Sequence, residues 1–180
     1  MWGGVHIPTM TENKMTNRFL EEAFSGESQA HMKYQLFADI AANQGMPNIA
    51  RLFRAVSYAE LVHARNHLKA LGHMGDTEDN LQAALDGETF EIEEMYPVYK
   101  QTAQMQGDEA AERATHYALE AEKIHADLYT QAREAASQDK DLDIDTIYIC
   151  PVCGHTVIGE VPDCCPICGV KGDRFTAFEA

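Results

Sequence analysis

A chain of 180 residues can bury one sizeable core and carry at most a small appended module. Its 14 Lys and Arg against 29 Asp and Glu leave a formal charge of −15, which repels polyphosphate and makes nucleic acid and anionic membrane surfaces poor partners. No run approaches the roughly 18 apolar residues of a membrane span, and the opening MWGGVHIPTMTENK lacks the basic-then-apolar order of a secretory signal, so a cytoplasmic protein with reduced thiols is expected.

Residues 1–13 carry no periodicity and read as a tail. From about Thr16, apolar residues recur at spacings of three and four (Phe19, Leu20, Ala23, Phe24, Ala30, Tyr34, Phe37, Ala38, Ala41), which predicts a helix that Gly45 and Pro47 close. A second helix runs from about Pro47 to Leu71 and stops at Gly72. Residues 73–87 read as a connection holding one short helix, Asp79 to Leu85, and a link of that length suggests a crossover. A third helix is expected from about Glu88 to Gln106. Pro97 inside it lacks an N–H for the carbonyl of Glu93, so a kink or bulge should form there. The fourth covers about Asp108 to Ala136. The polar stretch SQDKDLDIDT then leads into a module rich in cysteine, proline, glycine and β-branched residues. The expected architecture is a mainly α four-helix bundle with one long crossover (14–137), a linker (138–146) and a small β/loop module (147–180).

Four residues place charge on the apolar stripes of these helices in a repeated pattern. Glu60 precedes His63 by three residues on the second helix, and Glu122 precedes His125 by three on the fourth. Side chains three apart on a helix are separated by about 60° and one turn, so both reach one point. The first and third helices add Glu27, which lies among Ala23, Phe24 and Ala30, and the pair Glu91 and Glu94. Glu27 precedes Glu60 by 33 residues and Glu91 precedes Glu122 by 31. A Glu from each of two helices and a Glu-x-x-His from each of the other two is the ligand set of dinuclear iron and manganese carboxylate bundles. Carboxylates turned inward would each cost several kcal/mol unless cations offset them, and no Lys or Arg accompanies them on these faces. Solvated surface glutamates would be the plain alternative, against which their apolar neighbours speak. His31, His67, His73 and His116 lack the paired Glu and read as surface or filler residues.

All five cysteines lie in CPVCGHTVIGEVPDCCPICG. Cys150 and Cys153, then Cys165 and Cys168, form two C-P-x-C-G phrases. In each, Pro fixes the turn, Gly tolerates a positive φ, and the tight loop can aim backbone N–H groups at sulfur. Two such loops make a tetrahedral four-sulfur site for zinc or a single iron. Cys164 is out of register and reads as a spare thiol. Zinc would make the module a structural staple, and iron a one-electron carrier. Its junction to a redox-capable bundle favours iron.

With these motifs together, the chain resembles the rubrerythrins from about residue 16 to 180. GESQA, AELVHA, EIEEMYP and AEKIHADLY resemble that family's metal-binding segments. The resemblance implies a di-iron site held by Glu27, Glu60, His63, Glu91, Glu94, Glu122 and His125, with Glu60 and Glu122 bridging and Glu94 exchanging with His63 on one iron as the redox state changes. It implies a third iron on Cys150, Cys153, Cys165 and Cys168, with zinc able to enter that site on heterologous expression. Tyr34 and Tyr99 match tyrosines that hydrogen-bond near the di-iron site. The implied activity is reduction of hydrogen peroxide to water, electrons arriving from a rubredoxin or an NAD(P)H-dependent reductase through the sulfur site. The family further implies a homodimer in which one subunit's sulfur domain serves the other's di-iron site. Iron oxidation and storage, or a bundle stapled by structural zinc, are the rival readings.

Overall fold

The computed structural model describes residues 13–179. They contain helices α1 (Lys14–Asn43) and α2 (Pro47–Leu71), a helix α3 (Thr77–Phe90) that continues through a π-helical turn (Glu91–Met95) into α4 (Tyr96–Gln106), helix α5 (Glu109–Ala136), and strands β1 (Ile147–Ile149), β2 (Thr156–Ile158) and β3 (Thr176–Phe178). The chain is mainly α with a small C-terminal β module, as expected. It divides into two compact units, one ending at Gly75 and the other beginning at Asp76. No helix among the described residues is long and apolar enough to cross a membrane.

In the first unit α1 packs against α2. The Asn13 side chain accepts from the backbone N–H of Met15, 3.1 Å away, and so caps α1. Pro47 opens α2, and Gly72 closes it at φ +73°, a left-handed turn that a side chain would strain. The seam is made of small residues, Ala38, Ala41, Ala50 and Ala64, which let the helix backbones approach closely. Ser57 is fully buried in it. Its hydroxyl donates to the His31 carbonyl at 2.9 Å and accepts from Gln35 Nε2 at 2.9 Å. His31 Nδ1 lies 2.9 Å from the Ser57 carbonyl, so this histidine ties the two helices rather than filling surface.

In the second unit α5 packs against α3, the π turn and α4. The third helix begins at Thr77, eleven residues before the expected start at Glu88. Asp76 caps it, accepting from the backbone N–H of Asp79 at 3.0 Å, and Glu78 and Asp79 favour its positive N-terminal end. Gly87 lies inside this helix, where it costs about 1 kcal/mol relative to alanine and ends nothing. The link from α2 is therefore short. The bulge expected from Pro97 is present as the π turn, in which the Tyr96 N–H donates to the carbonyl of Glu91, five residues back. The module after α5 forms a three-stranded antiparallel sheet, ordered β2-β1-β3, with Tyr148 opposite Val157 and Ala177.

Candidate metal centres

Each unit brings together one acid–histidine group. In the first, Glu27 from α1 meets Glu60 and His63 from α2, with one donor atom from each within 4.8 Å of the others. His63 Nδ1 stands 3.0 Å from Glu60 Oε2 and 3.9 Å from Glu27 Oε1. In the second, Glu88 from α3 meets Glu122 and His125 from α5 within the same limit, and His125 Nδ1 stands 2.6 Å from Glu122 Oε2. The i,i+3 spacing does what the sequence suggests: it stacks carboxylate and imidazole on one face, one turn apart.

The second group contains a residue the sequence reading missed. Glu88, and not Glu91, completes it. Burial, reinforced by the hydrogen bond to Glu122 and by the charges of Glu122 and Glu91, pushes the Glu88 carboxyl up to about 7. Glu91 is raised as well, by burial and by Glu122, with His125 opposing. It lies near the group without joining it. Tyr96 is raised by burial and by Glu91, Glu122 and Glu88 in turn. Carboxyls pushed upward by burial and then by one another's charge mark a site short of positive charge, which a bound cation would supply. The donor set of carboxylate oxygens and imidazole nitrogens suits iron. A signal for Glu88 existed: it precedes Glu122 by 34 residues, nearer the 33 between Glu27 and Glu60 than the 31 from Glu91.

Glu94 is exposed in the π turn, outside both groups. Tyr34 packs its ring against Phe37 and Phe53, with centroids 6.2 and 6.0 Å apart, and Tyr99 stands edge-on to Tyr96 at 6.4 Å.

The cysteine loops converge as expected. Cys150, Cys153, Cys165 and Cys168 form one group, with Cys150 Sγ 3.5 Å from Cys168 Sγ and Cys153 Sγ 3.5 Å from Cys165 Sγ. Sulfurs about 2.3 Å from a central ion would be separated by about 3.8 Å at the edges of a tetrahedron, so these spacings fit one metal. All five cysteines are free thiols, and Cys164 is exposed and outside the group. Burial pushes the Cys153 thiol up. At Cys165 burial also pushes upward, but backbone N–H groups of Cys168 and Ile167 and the neighbouring sulfurs outweigh it and bring the thiol down to about 7. Backbone donors aimed at sulfur favour the thiolate that a metal requires. Tyr117 of α5 packs against this cluster with Ile167, Val170 and Phe175.

The rubrerythrin family model matches residues 18–133, and the model for the rubrerythrin rubredoxin-like domain matches residues 148–176. Rubrerythrin-2 of Clostridium acetobutylicum is 49% identical over 181 residues, spanning 93% of this chain and 98% of that protein. Nigerythrin of Nitratidesulfovibrio vulgaris is 36% identical over 174 residues, spanning 88% and 84%. Among solved structures, nigerythrin in its fully reduced, all-ferrous state superposes with a TM-score of 0.53 at 31% identity, covering 98% of this chain and 95% of that one. Its mixed-valence state gives 0.51 at 32% identity, covering 98% and 94%. Each acid–histidine group thus offers the carboxylate and imidazole ligands of a di-iron family, and the four cysteines form a rubredoxin-like iron site. With one family model spanning the helices, another the cysteine loops, and relatives aligned over most of their own length, the chain belongs to the rubrerythrin family.

Proposed function

We propose that the protein reduces hydrogen peroxide to two molecules of water, taking two electrons and two protons per cycle, with the electrons entering through the cysteine module. The observation that carries this reading is that two acid–histidine groups and a four-thiol group occur in one chain. An iron-storage protein needs the first alone. Bound iron would supply two adjacent one-electron centres, which lets an O–O bond be broken without releasing a hydroxyl radical.

The residues supply the rest. Glu27, Glu60 and His63 form one acid–histidine group able to hold iron, and Glu88, Glu122 and His125 form another, with Glu91 beside the second. The Glu88 carboxyl, raised to about 7 in the metal-free chain by burial and Glu122, would give up its proton to a bound cation. We assign Glu94 and His63 to the redox-linked ligand exchange. The His63 side chain is 53% exposed against 28% for His125, which supports His63 as the ligand that gives way. The exposed position of Glu94 in a widened turn supports its mobility. Tyr34 and Tyr99 are assigned to hydrogen bonding near the site. The functional division we propose is 14–137 for the peroxide chemistry and 147–180 for electron entry, joined by 138–146. The working form is a homodimer in the cytoplasm, served by a rubredoxin or an NAD(P)H-dependent reductase.

The test compares the full chain with its Cys165→Ser variant, both iron-loaded and reduced anaerobically. One equivalent of peroxide should oxidise the di-iron site of both rapidly in a stopped-flow mixer. Sustained peroxide consumption with reduced rubredoxin should fall steeply in the variant alone. Equal sustained rates would remove the module as the electron inlet, and rapid oxidation by dioxygen but not by peroxide would favour iron storage.

A further inference from the structure

Helix α5 turns one face to the cysteine module of its own chain. Tyr117 packs against the sulfur cluster. Ala121 lies beside Gly154, where an added Cβ would stand 3.7 Å from the Ala121 Cβ. His125 Nε2 stands 2.9 Å from Thr156 Oγ1. These three helix positions are four residues apart, so they form one stripe. The last contact joins a nitrogen of a di-iron ligand to the module that holds the other metal. Thr156 is buried, only 5% exposed, and its hydroxyl reaches the carbonyl of Gly154 at 3.2 Å, the residue directly after Cys153.

We propose that Thr156 is a positioning residue for the di-iron centre: its hydroxyl fixes the His125 ring in the tautomer protonated at Nε2, and so couples that ligand to the cysteine module. This rests on the reading of His125 as an iron ligand.

The direction of each hydrogen bond follows from the atoms present. The Gly154 carbonyl can only accept, so the single hydroxyl proton of Thr156 goes to it. The Thr156 oxygen is then left as an acceptor, and His125 Nε2 must donate. A neutral imidazole has one N–H, so Nδ1 keeps its lone pair, on the side where Glu122 and Glu88 present their oxygens. A cation there meets a nitrogen ready to bind it. A metal-bound histidine whose other nitrogen is held in this way is a better and better-aimed ligand. The link runs from Cys153 through one peptide unit and two hydrogen bonds to His125.

Zinc-loaded protein, which is diamagnetic, gives the test. Long-range proton–nitrogen correlation should show His125 protonated at Nε2 in the native chain. Thr156→Val should lose that single-tautomer signature and weaken zinc binding at the acid–histidine site by about tenfold. Thr156→Ser should restore both. The cobalt–thiolate spectrum of the four-cysteine site should stay unchanged in both variants. If Thr156→Val keeps the native tautomer and affinity, the proposal fails. It fails equally if Thr156→Ser behaves like Thr156→Val, or if the cobalt–thiolate spectrum changes with the loss, because the role would then be packing. His125→Ala separates the underlying reading: should it bind as much zinc at the acid–histidine site as the native chain, His125 is not a ligand, whatever Thr156 does.

Discussion

Glu88 offers a quantitative test of why the helical region needs metal. Its carboxyl is raised from 4.5 to about 7 in the folded chain, by burial first and Glu122 second. A carboxyl raised in this way contributes stability that is fully present below its unfolded value and is lost as pH climbs through about 7. Metal-free protein should therefore melt at a lower temperature at pH 8 than at pH 5. The rise of about 2.5 units would correspond to about 3.4 kcal/mol if fully expressed. Glu88 is only partly buried, and solvent screening reduces this to about 1–2 kcal/mol. In a chain of this length that is a shift of roughly 2–8 °C. Glu88→Gln keeps a hydrogen-bonding partner for Glu122 and removes the titration. In metal-free protein the variant should match the native chain at pH 5 and melt roughly 2–8 °C higher at pH 8, followed by circular dichroism. With iron or zinc bound the order should reverse, because a charged donor has been lost. A metal-free Glu88→Gln that is less stable at pH 8, or whose pH dependence parallels the native one, would refute the reasoning.

Two further outcomes follow from the cysteine module. Cys164→Ser should leave the iron–thiolate absorption intact and Cys165→Ser should abolish it or strongly alter it, since Cys165 is buried in the four-sulfur group and Cys164 is exposed outside it; the reverse result would overturn the register of the second loop. Gly172→Ala should destabilise the module by about 1–3 kcal/mol, because a Cβ there would stand 2.1 Å from the Pro162 carbonyl oxygen while the Gly172 N–H donates to Asp163 at 2.8 Å. Faster metal loss to a chelator measures it, and an unchanged rate would show that the loop can give way.

Much of this was legible because the chemistry sits on regular elements. The i,i+3 pairs Glu60–His63 and Glu122–His125 converge through helix geometry alone, and the C-P-x-C-G loops carry their own turn residues, so their partners could be named without tertiary knowledge. The start of the third helix could not. Gly87 reads locally as a stop, yet the Asp76 cap and the packing against α5 carry the helix through it. That misplaced start put Glu88 at a helix end and hid its place beside Glu122 and His125, although the repeat spacing favoured it. The Thr156–His125 contact left no trace at all, because 31 residues and a change of secondary structure separate the pair.

The π turn at Glu91–Met95 has a consequence for how this chain tolerates changes of length. A turn that spans five residues where four would do holds one residue more than the helix packing requires. Deleting one residue there would restore ordinary helix and leave both flanks, with Glu88 before it and buried Ala103 after it, on the faces they already present. The same deletion elsewhere between Thr77 and Gln106 would rotate everything beyond it by about 100° and carry one of those residues off its face. Scaffold and metal chemistry are thus separable by a single codon at this turn: losing it would spare the fold and re-aim Glu91 and Glu94.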